Sequence, residues 1–314
     1  MKRRICKLVV AAIVGIGNTS CPTSAALAQS PPDAAQLKSG PVNPGFGDYW
    51  YQGKAELTSY KLEQARYGEV HAGHAVLIFV TEDFSKEKHV KLDRPGQAGD
   101  DKVNVLKLNL TKKFNTGIYP YSIMTSVFTP IQRHLFPQTM KVTTSSQEWC
   151  GHSFTQMNLD DDGYHVKLYS YFEREGDQTV TLDNTLLEDE VWSTIRLNPD
   201  DLPTGEIQMI PGTLFQRLRH VSWTVQDAVA ERKPVAGNSD QMAYIITYPE
   251  YERRFTIHYD KVFPHGIQSW EDTYSAGRRG QATTKATVNK RIMLDYWSKN
   301  QAADVVWRKE LGLE

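Results

Sequence analysis

The chain has 314 residues, with 36 Lys and Arg against 37 Asp and Glu, and a formal net charge of −1. Charges of both signs are interspersed, whereas a nucleic-acid binder needs a basic surface that neutralises phosphates, so this balance excludes nucleic acid as a partner. A chain of this length can bury the core of one large domain or of two modest ones.

Residues 1–28 have the pattern of a secretory signal peptide. Four cations, from Lys2 to Lys7, precede the apolar run 8–16, and the segment ends in an Ala-x-Ala motif at Ala28. The apolar run is too short to cross a bilayer core of about 30 Å as a helix. We therefore expect cleavage near Ala28 and export to the periplasm or the medium. The leader holds four of the 36 cations and none of the acids, so the mature chain carries −5.

Cys21 offers the alternative of a lipid anchor. Lipid attachment favours an aliphatic residue three positions before the cysteine, and Asn18 stands there, so we prefer cleavage at Ala28. Cys150 is then the one cysteine of the mature chain and has no partner for an internal disulfide. No later stretch is apolar enough to predict a transmembrane helix.

Residues 29–45 are rich in Pro, Ser, Gly and Ala and predict a flexible lead. The folded part, 46–314, shows the alternation of apolar and polar residues that antiparallel strands with one wet face require. The turn sequences Asp161-Asp162-Gly163 and Glu175-Gly176-Asp177 predict hairpins between such strands. The clearest alternations are Leu106/Leu108/Leu110, Tyr164/Val166/Leu168 and Phe255/Ile257/Tyr259.

Two segments interrupt this pattern and predict helices. Thr185 and Glu188 form a capping-box motif ahead of a helix over 186–197, which Asn198-Pro199 ends. A C-terminal helix is predicted over 295–311, ended by Gly312. Both should pack on the sheet.

These elements predict a mainly β fold, β-rich α+β, made of a strongly curved antiparallel meander or half-barrel with a mid-chain helix and a C-terminal helix. We expect one domain over 46–314. Two β halves, 46–183 and 204–293, around the central helix are the alternative. A curved sheet with helices on its concave side could hold an apolar ligand in its cleft.

The string Glu148-Trp149-Cys150-Gly151-His152 contains the parts of a thiol nucleophile. In a strand, however, Cys150 and His152 would be about 6.6 Å apart along the chain, too far for a direct hydrogen bond. A bulge at Gly151 could shorten that distance. The catalytic candidates are therefore Cys150 as nucleophile, His152 as base and Glu148, with a half-buried structural cysteine as the preferred interpretation.

His71 and His74 would share a face if they were helical and could then bind a metal. The apolar run 76–80 that follows predicts a strand, which places the two imidazoles on opposite faces. We expect no cofactor, since no segment has the signature of a cofactor site.

The stretch from Asp48-Tyr49-Trp50 through 148–152 to the final helix resembles a family of uncharacterised exported bacterial β-rich proteins, some of which are labelled septum formation inhibitor Maf. The resemblance implies an exported β-rich protein. Maf proteins themselves are cytoplasmic nucleotide pyrophosphatases with an arginine-containing phosphate loop, and the nearest sequence here, Gln29-Ser30-Pro31-Pro32, contains no arginine.

Three functions follow from these observations. The first is a non-enzymatic exported protein that binds an apolar, lipid or other envelope-derived ligand on its curved sheet, a plan similar to that of periplasmic lipoprotein carriers with a half-open barrel. The second is a secreted hydrolase that uses Cys150 and His152. The third is a glycan-binding protein, because the 7 Trp and 15 Tyr residues could stack on sugar rings.

Overall fold

The computed structural model describes residue 43 and residues 45–313. The predicted signal peptide, its cleavage site at Ala28 and the alternative lipid site at Cys21 lie outside the described residues. The strands are β1 Ala55–Arg66, β2 Glu69–Ser85, β3 Val90–Lys91, β4 Lys102–Thr116, β5 Tyr119–Pro130, β6 Lys141–Glu148, β7 Gly151–Asp160, β8 Gly163–Ser170, β9 Gln178–Leu182, β10 Leu186–Leu187, β11 Gly205–Ile210, β12 Gln226–Val235, β13 Asn238–Tyr248, β14 Arg253–Asp260, β15 Ile267–Ser275 and β16 Gln281–Leu294. The helices are α1 Phe46–Trp50, α2 Val191–Leu197, α3 Thr213–Arg219 and α4 Val306–Glu310.

All sixteen strands of the described chain belong to one sheet, which confirms the predicted mainly β fold with few helices. Its order is β10-β11-β12-β13-β14-β15-β16-β1-β2-β4-β5-β6-β7-β8-β9, with β3 paired to β2. Neighbouring strands are antiparallel except β10 and β11. The first and last strands meet at the centre of the sheet, where β1 pairs with β16. The sheet is therefore continuous, and no boundary divides it into two separate halves.

The sheet must be strongly curved, because only three residues connect its two edge strands, β9 and β10. β9 ends at Leu182 and β10 begins at Leu186, and such a connection spans at most about 14 Å. Both edges pack into the same apolar core. The result is a barrel-like sheet whose edge strands are close but share no hydrogen bonds.

The strand alternation is as predicted in β4, where Leu106, Leu108 and Leu110 are buried and the residues between them are partly exposed. The turn at Asp161-Asp162-Gly163 joins β7 and β8, and Gly163 adopts φ +127°, a conformation that other residues rarely take. Both local predictions rest on the period-2 geometry of strands and on glycine's freedom in turns.

The mid-chain helix is shorter than predicted. The range 186–197 begins with β10 and a 3₁₀ turn at Glu188–Glu190, and the α-helix starts only at Val191. The expected capping box is wrong, because the Thr185 hydroxyl donates to the Gln208 carbonyl and Glu188 pairs with Arg253. Tertiary partners thus replace the local cap.

The C-terminal helix predicted over 295–311 is also wrong in its extent. Short 3₁₀ turns at Tyr296–Ser298 and Ala302–Val305 precede α4. The second of these turns has its own N-terminal cap, a capping box between Gln301 and Asp304. Gly312 ends the helix with φ +65°, as predicted. This tail packs on the outer face of β1, β2 and β16 through Trp307, Leu311 and Leu313.

Seven buried residues of α2 fill the concave side of the sheet, joined by α3, which the sequence did not predict. Within residues 45–313, every helix is too short or too polar to cross a membrane. The main apolar core, which includes Trp192, Phe255 and Trp270, fills the space between these helices and the concave face of the sheet.

Candidate functional site

An open depression on the outer face of β5 to β8 forms a groove with a volume of about 520 Å³. We call it the outer groove. Two cross-strand rows of side chains form its floor, because the register of the four strands brings alternate outward positions into line. One row is Ser122, Gln147, His152 and Tyr171; the other is Met124, Ser145, Phe154 and Tyr169.

The rows are exposed for a local reason. Along β7, His152 and Phe154 point outward while Ser153 and Thr155 point into the sheet. Neighbouring strands lie about 4.8 Å apart, so four strands make a platform about 14 Å wide. Such a platform can hold a segment of a linear ligand that lies across the strands.

Aromatic rings dominate one side of the outer groove. Phe154, Tyr169 and Tyr171 are 40%, 53% and 71% exposed. Tyr171 lies against Gly151, where an added Cβ would meet its ring at 2.5 Å. Glycine at this position therefore lets the Tyr171 ring approach the β7 backbone.

Polar groups complete the lining. Gln147, His152 and Asp177 are exposed there, and the Asp177 carboxylate accepts a hydrogen bond from the Ser170 amide at 3.2 Å. The arrangement offers ring faces together with hydrogen-bond donors and acceptors, which is the chemistry that recognises sugar rings.

The three catalytic candidates do not assemble into one site. Cys150 lies in the two-residue turn between β6 and β7 and contacts the Tyr119 hydroxyl at 3.6 Å. Glu148 points into the sheet, where it accepts hydrogen bonds from Arg217 at 3.1 Å and Tyr119 at 2.7 Å. His152 is exposed on the opposite face, in the outer groove. The side chains of Glu148 and His152 thus lie on opposite faces of the sheet. The register of β6 and β7 is regular at Gly151, so no bulge brings the two side chains together.

Around Tyr119 the strand ends form a cluster of hydroxyl groups. The hydroxyls of Tyr67, Tyr119 and Tyr121 lie within 2.7 to 3.3 Å of one another, and Arg66 stacks over the Tyr67 ring at 4.7 Å. These contacts join three hairpins at one end of the sheet. Cys150 is the exposed neighbour of this cluster.

His71 and His74, the candidate metal pair, have different surroundings in β2. His71 Nε2 contacts the Arg66 carbonyl at 3.2 Å, and burial together with Lys113 and Arg308 lowers the pKa of His74. As predicted for a strand, their positions in β2 have opposite orientations. No group of three or more His, Cys, Asp or Glu side chains within residues 45–313 is placed to hold a metal ion.

The concave side of the sheet holds a second, smaller space, the interior cavity, of about 40 Å³ between β4, β14, β15 and α3. An apolar cleft was expected on this side, and the space there is small and lined by both apolar and charged side chains. Helices α2 and α3 occupy the volume, and charged side chains line what remains. These are Lys112, Glu188, Asp189, Arg219, Arg253 and Asp272.

The charged groups of the interior cavity differ in how many partners they have. Arg253 donates to both oxygens of Glu188, at 2.6 and 2.8 Å, and to both oxygens of Asp272, at 2.7 and 3.1 Å. Burial raises the pKa of Asp189 to about 7, although the Thr213 amide donates to it. Burial lowers the pKa of Lys112 to about 8.

Sequence reasoning missed Lys112, yet the signal was present. It stands in the apolar phase of β4, two positions after Leu110 and two before Phe114, so the strand pattern turns it into the core. A lysine in phase with buried residues is a site candidate in its own right.

Known proteins offer little guidance on function. No family model matches the chain, and no curated protein is similar to it in sequence. One solved structure similar to this chain is the crystal structure of a β-barrel-like protein of the domain of unknown function DUF1849 from Brucella abortus. The two share 10% identity, the match covers 76% of this chain and 98% of that chain, and the TM-score is 0.43.

Proposed function

We propose that this chain is an exported, non-enzymatic protein that binds a polysaccharide of the cell envelope in the outer groove. The supporting observation is the pair of side-chain rows across β5 to β8, in which exposed rings stand beside amide, imidazole and carboxylate groups. Large aromatic residues so exposed on neighbouring strands are costly to leave in water without a ligand.

The competing functions have less support. An apolar ligand would have only the small, partly charged interior cavity on the concave side, and a Cys150 hydrolase has its base and its carboxylate on opposite faces of the sheet. The outer groove is open along the sheet, which suits a long chain entering and leaving at its ends better than a small molecule.

Replacing Tyr169 and Tyr171 together by alanine should weaken binding of a cell-wall polysaccharide at least about tenfold, equivalent to about 1.4 kcal/mol, because two stacking faces are lost. Calorimetric titration of the purified chain with a panel of such polysaccharides measures this. The unfolding temperature should change little, since both side chains are exposed.

Trp297→Ala supplies the matched control, because Trp297 is 49% exposed but lies outside the outer groove. It should bind as the unaltered protein does. Equal affinity of the double variant, or no binding to any polysaccharide of the panel, would count decisively against this function.

Export is the second part of the proposal and rests on the cations and apolar run of residues 1–28. Expression of the full chain in a bacterium should give a periplasmic or extracellular product that begins at Gln29, detectable by intact-mass measurement. A product that keeps residues 1–28 and stays in the cytoplasm would contradict it. A product that begins at a lipid-modified Cys21 would contradict the predicted cleavage site.

A further inference from the structure

Lys112 is the feature of the interior cavity that needs an explanation. The residue is 5% exposed, and within residues 45–313 its side chain makes no hydrogen bond and no ion pair. The nearest described contact is with the Trp270 ring, whose centroid lies 5.8 Å from Lys112 Nζ. Burying an ammonium group without an acceptor is costly, so the neutral fraction of this amine is larger than that of an exposed lysine.

The surroundings of Lys112 support a larger neutral fraction. Desolvation lowers its pKa, and Arg253 on β14 lowers it further, while Asp272 on β15 and Glu188 before α2 act in the opposite direction. Those two carboxylates are already engaged by Arg253. Asp189 and Arg219 complete the charged groups that line the cavity.

The cavity also holds an unused acceptor. The amide nitrogen of Gln64 donates to Thr284 at 2.9 Å and to the Ala65 carbonyl at 3.1 Å, but its oxygen Oε1 is buried without a partner. The exposed Arg219 is part of the lining, so the cavity reaches the surface at the end of α3. A small polar molecule can thus enter and meet both Lys112 and Gln64.

We infer that Lys112 is a carbonyl-reactive amine that forms an imine with a small neutral aldehyde or ketone bound in the interior cavity. The amine nitrogen attacks the carbonyl carbon, a C=N bond replaces the C=O bond, and the carbonyl oxygen leaves as water with the two amine hydrogens. Desolvated lysines near another cation are the amines that proteins use in this way.

Charge and size select the carbonyl compound. With Lys112 as the neutral amine, three carboxylates line the cavity against two arginines, so a further negative charge would lack a counterion. The space is small, about 40 Å³, and apolar side chains such as Leu108, Leu110 and Trp192 form part of its lining. A hydroxyl group on the ligand could donate to Gln64 Oε1.

Reductive trapping with acetaldehyde and cyanoborohydride tests the inference on the full mature chain. Lys113, the next residue of β4, is exposed on the other face of the strand and serves as a reference in the same peptide. At pH 7 we expect peptide mass spectrometry to show ethylation of Lys112 at least about tenfold faster than of Lys113, because more of the desolvated amine is neutral. The Lys112 rate should level off above about pH 8.

Two controls separate reactivity from structure. The preference for Lys112 should vanish in denaturant, and Lys112→Met should fold and leave only the slow modification of Lys113. Ethylation of Lys112 in the folded chain at or below the Lys113 rate would overturn the inference.

Discussion

Arg196→Met should lower the free energy of unfolding by about 3–5 kcal/mol, since it leaves a fully buried carboxylate without its main partner. Arg196 on α2 donates to both oxygens of Glu56 on β1, at 2.5 and 2.6 Å, and neither side chain is more than 1% exposed. The guanidinium also lies over the rings of Trp50 and Phe79, at 5.0 and 4.9 Å. The substitution therefore removes the bond that holds α2 to the centre of the sheet.

The pH dependence of this variant identifies the cause. Burial by itself raises the pKa of Glu56, but the charge and hydrogen bonds of Arg196, with Arg291 nearby, lower it to about 2. A carboxyl whose folded pKa is depressed stabilises the fold above its unfolded value of about 4.3, and this contribution is lost as the pH falls toward 2. Denaturant titrations should show that acid loss in the unaltered chain and a much smaller one in Arg196→Met.

Two further variants make the test specific. Lys233→Met breaks the exposed ion pair with Glu231 and should cost less than about 1 kcal/mol. Arg196→Met combined with Glu56→Met should recover much of the loss, because the uncompensated charge is gone. A loss below about 1 kcal/mol for Arg196→Met alone would show that the buried pair does not anchor α2.

Arg253→Met should destabilise the chain by a similar amount at neutral pH, and acid should reverse part of the effect. Arg253 neutralises both Glu188 and Asp272, and it is 2% exposed. Without it, Glu188 and the half-buried Asp272 lose their guanidinium partner, and the pKa of Asp189, which burial raises to about 7 and Arg253 lowers, rises further. The folded state then binds more protons than the unfolded state, so stability rises as the pH falls from about 7 to about 5.

Thermal unfolding at several pH values checks this second expectation. Arg253→Lys keeps the charge but cannot donate to both carboxylates with one planar group, and it should fall between the two proteins. An unfolding temperature of Arg253→Met that drops with acid as steeply as that of the unaltered chain would contradict the explanation.

The sequence pattern predicts only part of the outer groove. Alternation places His152 and Phe154 on one face of β7, and the tight turns to β6 and β8 make those strands neighbours. The exact alignment of Gln147 with His152, and of Phe154 with Tyr169, depends on register, which a shift of one residue would reverse. Hence rings and polar groups could be predicted to be exposed, but not to form two rows.

For the helices, the local sequence motifs did not predict where each helix begins. Thr185 and Glu188 satisfy a capping motif, yet Glu188 binds Arg253, which lies 65 residues away in the sequence. α3 carries no strong local signal, and it forms where the concave sheet offers a place to bury Phe215 and Leu218. Short helices depend on packing more than on propensity, so their limits follow the tertiary structure.

The amino-acid sequence by itself determined that this chain folds as amphipathic antiparallel strands joined by short turns, because side-chain alternation and turn chemistry are properties of a few consecutive residues. Only the tertiary structure decided that β1 and β16 meet, that Glu56 pairs with Arg196, 140 residues away, and that Lys112 lies in the interior cavity without a partner. Those outcomes depend on how the curved sheet closes around α2 and α3, and closure is a property of the whole chain.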